Sequence, residues 1–209
     1  MRLAGIDVVD SKLVTESIDL AQSNLSPYLF NHVMRSWLLA TILATRSKVR
    51  PDPEVLACAA VLHDLGLTEK YEASERFEVD GANAARSFLK GRGVKAGDLQ
   101  LVWDAIALHT TYSIALHKEP EVAACCGGIS LDIIGIGIQT IEPRDIAAIN
   151  AAYPRLAIKE QFKDAMCGLA RRKPQTTYDN FVRDFGTCYV TGYKAPSSAD
   201  ALQNAPYPE

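Results

Sequence analysis

Val55-Leu56-Ala57-Cys58-Ala59-Ala60-Val61-Leu62-His63-Asp64-Leu65-Gly66 is the stretch that decides how this chain folds. It follows a break, Arg50-Pro51-Asp52-Pro53, and its apolar run describes a helix buried on every side. An imidazole and a carboxylate then stand next to each other at the buried end of that helix. A carboxylate among apolar neighbours is costly unless a cation or hydrogen bonds satisfy it. Neutral imidazole beside carboxylate suits a borderline divalent metal such as zinc, iron or manganese. The competing reading has His63 capping the helix and Asp64 binding backbone amides of the following turn.

Two more residues can complete a metal shell. His32 lies upstream in Asn31-His32-Val33-Met34-Arg35-Ser36-Trp37, and Asp132 lies downstream in Ile129-Ser130-Leu131-Asp132-Ile133-Ile134. Both are polar residues in stretches that otherwise read as buried helix. The order His, His-Asp, Asp resembles the HD-domain superfamily of metal-dependent hydrolases. That resemblance implies a single-domain, all-α bundle, with His32, His63, Asp64 and Asp132 as the ligands of a divalent ion.

The bulk numbers agree with one soluble globular domain. A chain of 209 residues can bury a full core, and 48% hydrophobic with 22% charged residues is ordinary for a soluble domain. A net charge of −3 and the lack of any long basic run give no reason to expect nucleic acid as partner. No apolar stretch reaches the length of a membrane span, so no membrane is expected. Asp7 interrupts the N-terminus where a secretory leader would need apolar residues. The five cysteines are odd in number and form no CxxC pair, which favours reduced thiols in a cytoplasmic compartment. Cys125-Cys126 lies in a small-residue run, 123–128, suited to close helix packing. That run can serve the core or a homo-oligomer interface.

Helical periodicity dominates the chain. Helices are expected over Ser11–Leu25, from Ser26-Pro27 to about Thr45, from Pro53 to the His63-Asp64 pair, over Ser74–Lys90, over Asp98–His109 and from Glu119 to about Gly137. Glu142-Pro143, Tyr153-Pro154 and Lys173-Pro174 separate the last three. This predicts about eight or nine helices, with a helical extension over 1–25, the metal-binding domain over 26–190 and a loose tail over 191–209.

Metal count narrows the chemistry. Binuclear HD proteins place further histidines between the HD pair and the last Asp. Here Phe77-Glu78 stands where the first would fall, and only His109 and His117 remain of the four histidines. One ion per chain is expected, most simply Zn2+, with Fe2+ and Mn2+ as alternatives. Asn31-His32-xx-Arg35, Leu62-His63-Asp64-Leu65-Gly66, Arg76-Phe77-Glu78-Val79-Asp80-Gly81-Ala82 and Ala105-Ile106-Ala107-Leu108-His109-Thr110 look like the cyanamide hydratase branch. Tyr153-Pro154-Arg155 to Lys173-Pro174 and Asp179-Asn180-Phe181 extend the likeness.

The resemblance implies a metal-dependent hydro-lyase that adds water to a small nitrile, cyanamide giving urea. Asp64 can serve as ligand and base. His109, at a helix C-terminus that favours imidazolium, is read as the proton donor, with a structural histidine as its alternative. Thr110, Glu78 and Arg35 are assigned to the substrate side, against plain ion pairs for Glu78 and Arg35. The other enzymatic reading is a phosphohydrolase of nucleotides or phosphomonoesters, for which cations are few: Arg35, Arg76 and Arg86. A metal-stabilised binding domain without catalysis is the third.

Overall fold

Among the described residues, eight α-helices build the unit that carries every residue of interest. The computed structural model describes residues 1–46 and 50–207. The chain divides into two compact units, Met1–Ile158 and Lys159–Glu209. The first opens with a two-residue antiparallel ribbon, β1 (Arg2–Leu3) and β2 (Ile6–Asp7), turned through Ala4 and Gly5 at positive φ. Then follow α1 (Lys12–Asn24), α2 (Pro27–Arg46), α3 (Pro53–Leu62), α4 (Phe77–Lys90), α5 (Ala96–Ala107), α6 (Tyr112–Ala115), α7 (Pro120–Ile134) and α8 (Pro143–Ala152). The second unit contains α9 (Ile158–Arg172), α10 (Val182–Tyr189) and α11 (Ser198–Gln203). The architecture is all-α, as expected. Nine of these helices have eight residues or more, and the two short ones, α6 and α11, fall in stretches that lack helical periodicity.

Helix starts follow local chemistry. The Ser11 hydroxyl accepts from Val14 N–H and caps α1. Asp52 caps α3, its carboxylate accepting from Glu54 and Val55 N–H. Asp52 N–H in turn donates to Glu121 Oε1 at 2.7 Å, which ties the start of α3 to the start of α7. The fourth helix begins at Phe77 instead of Ser74. The Asp80 carboxylate accepts from Ala73 N–H and Glu75 N–H, and this holds those residues in a loop. The fifth spans Ala96–Ala107, so His109 lies beyond its end.

The centre of the first unit is α2, packed along α7 and against α3. Most of its length is buried, including Leu29, His32, Val33, Arg35, Trp37 and Leu38. All of Val55–Leu62 in α3 is buried, in line with its unbroken apolar sequence. Two glycines set the closest approaches. A Cβ on Gly128 of α7 would lie 2.4 Å from the Ser36 carbonyl oxygen of α2. A Cβ on Gly66 would lie 1.9 Å from the Phe77 carbonyl oxygen, and one on Gly81 would lie 3.0 Å from Gly66 N. The turn after the HD pair therefore touches the first turn of α4 backbone to backbone.

In the second unit Phe162 stacks on Phe181, with Phe185 edge-on to both. The Tyr193 ring fills the space beside Gly186, its hydroxyl 2.7 Å from Thr177 Oγ1. Within the stretch read as a loose tail, Ser197 caps α11. Residues 208–209 of that tail lie outside the described residues.

Candidate metal centre

The buried end of α3 delivers two donors in sequence. His63 closes the helix with φ −63° and ψ −29°, and Asp64 follows at φ −97° and ψ 10°, in the sparsely populated bridge region common at functional sites. The Gly66 turn then carries the chain away. His32 reaches the same place from the second turn of α2. His63 Nε2 lies 3.2 Å from His32 Nε2 and 3.3 Å from Asp64 Oδ2, and His32 Nε2 lies 3.8 Å from Asp64 Oδ2. These three residues form a potential metal-holding group, each buried.

Their outer contacts show which atoms remain free. His63 Nδ1 lies 2.8 Å from the Ala60 carbonyl, and His32 Nδ1 lies 2.6 Å from Asp132 Oδ2. Both contacts require Nδ1 to carry the proton, so each Nε2 presents a lone pair. Asp64 Oδ2, fully buried, has no hydrogen-bond partner. Two lone pairs and a carboxylate oxygen converging in a buried pocket repel unless a cation stands between them. The spacing suits one: ligands about 2.0–2.2 Å from a tetrahedral ion lie roughly 3.4 Å apart.

The local field also favours positive charge. Burial would lower the His63 pKa, but the neighbouring Asp64 carboxylate, the Ala60 carbonyl and Asp132 together raise it. Burial would raise Asp64, yet His63 and His32 hold it well below the usual carboxylate range.

Asp132 stands elsewhere. It sits on α7 behind His32, on the Nδ1 side, while the three donors meet on the Nε2 side. Arg35 grips it with two parallel bonds, Nε to Oδ1 at 2.8 Å and an Nη to Oδ2 at 2.9 Å. Arg155 adds a bond to Oδ1 at 3.0 Å and another to the Asp132 carbonyl at 2.9 Å. Arg35 also donates to the Tyr153 and Pro154 carbonyls and is fully buried. It is thus a clamp behind the donors, away from the substrate side assigned to it from sequence. Arg155 was given no site role from sequence, although it stands in the Tyr153-Pro154-Arg155 stretch that extends the resemblance.

His109 comes from the turn after α5. Its ring lies edge-on to His63, centroids 4.8 Å apart, with Phe77 on another side. His109 Nδ1 donates to the Ile106 carbonyl at 2.6 Å, the same i to i−3 pattern that His63 makes with Ala60. Cys126 Sγ donates to the His109 carbonyl and fastens this turn to α7. The imidazolium expected from the helix C-terminus does not form at neutral pH. Burial and the adjacent His63 bring the His109 pKa down to about 4, against the weaker pull of Asp64 and Glu78. A cation at the donor cluster would act in the same direction. His109 is neutral at pH 7 and presents Nε2 as an acceptor.

Glu78 is wholly buried in the first turn of α4. Arg76 donates to both its oxygens, at 2.7 and 3.1 Å, and Thr110 Oγ1 donates to Oε1 at 2.6 Å. Burial would raise its pKa, but Arg76 and Thr110 outweigh that and lower it. The Arg76–Glu78–Thr110 group thus packs as a closed ion-paired network beside His109. His117 is exposed, unlike the four buried site residues.

A model of the HD domain family matches residues 29–147, which is more than half of the chain and includes His32, His63, Asp64 and Asp132. The chain belongs to the HD domain family. HD domains are in general metal-dependent hydrolases, and in this one His32, His63 and Asp64 form the group that could hold the divalent ion. The matched stretch lies entirely within the first compact unit. A search of the curated proteins returned no match. No helix among the described residues is long and apolar enough to cross a membrane.

Proposed function

We propose that this HD domain is a mononuclear, metal-dependent hydratase of a small nitrile-like molecule, with cyanamide to urea as the first reaction to test. The observation that carries this reading is enclosure. His32, His63, Asp64 and His109 are between 0% and 5% exposed, so the centre suits a substrate of a few atoms. Sites for larger ligands run to about 300–1,000 Å³. The one such donor group among the described residues supports one ion, and two imidazoles with one carboxylate suit zinc, with Fe2+ and Mn2+ also compatible.

A divalent ion bound by His32 Nε2, His63 Nε2 and Asp64 would supply Lewis-acid activation of water and of the substrate. The protein's own groups handle protons and orientation. His109, held by the Ile106 carbonyl, offers Nε2 to take the proton that the attacking water loses. The same nitrogen can return that proton to the substrate nitrogen, which becomes basic once the carbon has been attacked. Asp64 has a second carboxylate oxygen that can share the role. The Arg76–Glu78–Thr110 network keeps the wall beside His109 rigid and excludes water.

A phosphohydrolase needs unpaired cations to hold phosphate. Arg35 is paired with Asp132 and Arg76 with Glu78, whereas Arg86 bonds the neutral Gln100 amide and keeps its charge. The deciding experiment supplies metal-replete protein with cyanamide and measures urea, beside parallel reactions with nucleoside monophosphates that measure phosphate. Urea that disappears in His63→Ala supports the hydratase. Phosphate release without urea replaces it with the phosphohydrolase.

A further inference from the structure

We infer that the ion is held by three protein side chains, His32, His63 and Asp64, and that Asp132 is a positioning residue that orients His32 from behind. This rests on the metal-centre reading and is independent of which substrate is used.

The first argument is saturation. A carboxylate offers about four lone-pair positions. In Asp132 the Oδ1 positions are taken by Arg35 Nε and Arg155, and the Oδ2 positions by His32 Nδ1 and the second Arg35 nitrogen. No position is left for a cation, and the two guanidiniums on the carboxylate would repel one.

The second argument is direction. The two nitrogens of an imidazole point their lone pair and N–H to opposite sides of the ring. Asp132 meets His32 at Nδ1, while His63 and Asp64 meet it at Nε2. A carboxylate bonded to Nδ1 lies on the far side of the ring from the donor group. That arrangement fixes the tautomer, aims Nε2 and makes it a stronger donor.

The third argument is investment in the clamp. Arg155 is followed by Leu156 and Ala157, both left-handed, at φ 49° and 55°. Two successive non-glycine residues in that region are strained. They sit where the chain must turn immediately after Arg155 reaches Asp132. Arg35 binds the carbonyls of Tyr153 and Pro154, and Asn31 also donates to Pro154. The segment 153–155 is therefore anchored to α2 and to Asp132 together.

The consequence is chemical. A centre of two imidazoles and one carboxylate carries one more unit of positive charge than one with two carboxylates. It also keeps more coordination positions for water and substrate, as catalytic rather than closed structural sites do.

The test compares Zn2+ affinity by chelator competition, the visible spectrum of the Co2+-substituted protein and the 15N signals of His32. Asp132→Asn is expected to keep one ion per chain, with affinity lowered by about 10–100-fold and Co2+ band positions retained. Asp64→Asn is expected to shift those bands. Because Asp132→Asn leaves buried Arg35 without its charge partner and can unfold, Arg155→Met is the second variant. It leaves the Arg35 pair intact, and it should weaken Zn2+ binding several-fold and move the His32 Nδ1 signal. Two results would overturn the proposal. One is Co2+ bands in Asp132→Asn that report a changed ligand set. The other is Arg155→Met with unaltered affinity and an unmoved His32 signal. Neither depends on urea formation, so failure of the hydratase reading is separately visible.

Discussion

Gly128→Ala tests the geometry of the centre without touching any side chain in it. Its new Cβ would stand 2.4 Å from the Ser36 carbonyl oxygen and 2.6 Å from both N and Cβ of Ala40. None of these atoms can rotate away, because two are backbone and the third is fixed to it. Relief to about 3.5 Å requires α7 and α2 to separate by roughly 1 Å. Asp132 lies one turn after Gly128 on the same face of α7, and its Oδ2 is 2.6 Å from His32 Nδ1. A withdrawal of about 1 Å takes that contact past the limit of a hydrogen bond. The overpacking should cost about 1–3 kcal/mol, read as a lower guanidinium midpoint at unchanged slope. Loss of the support behind His32 should lower Zn2+ affinity by about 10-fold or more. A variant whose stability lies within about 0.5 kcal/mol of the parent, with the parent's Zn2+ affinity, would refute this account of helix spacing.

Gly66→Ala should be harsher, since its Cβ would meet the Phe77 carbonyl oxygen at 1.9 Å; a loss above about 3 kcal/mol, or no folded protein, is expected by circular dichroism. Glu78 has a depressed pKa in the folded chain, so it contributes stability above the ordinary carboxylate value of 4.5 and loses that contribution as pH falls below it. Glu78→Gln should therefore be less stable at pH 7 and show a flatter acid limb; an acid limb as steep as the parent's would contradict the pairing. His109→Gln should retain its metal while kcat falls by about 10²–10⁴-fold, and an unchanged kcat would remove His109 from proton transfer.

Much of the fold was legible because the helices of the first unit are long and strongly periodic. The unbroken, Ala-rich apolar run of 55–62, opened by Asp52-Pro53, read as a buried helix, and its terminal His63-Asp64 pair announced the centre. His32 was legible as a lone polar group in a buried stretch. The place of Asp132 was not, since the order of residues along a chain does not say which imidazole nitrogen a carboxylate will meet. Arg35 and Glu78 looked available for a substrate because burial and pairing are tertiary facts, and both are consumed by partners up to about a hundred positions away. His109 was misjudged in charge for the same reason. The helix C-terminus favours imidazolium by a modest amount, whereas full burial beside another imidazole disfavours it by more. The start of α4 moved because Asp80, which reads as an ordinary helical residue, captures the amides of the preceding loop.

The central claim is that His32, His63 and Asp64 form one functional metal centre. Its most direct test is the metal content of the purified, zinc-equilibrated chain beside that of folded His63→Ala, by mass spectrometry of the metal. The account predicts close to one ion per chain in the parent and none retained by the variant. A folded His63→Ala that keeps the ion, or a parent that holds two, would contradict it.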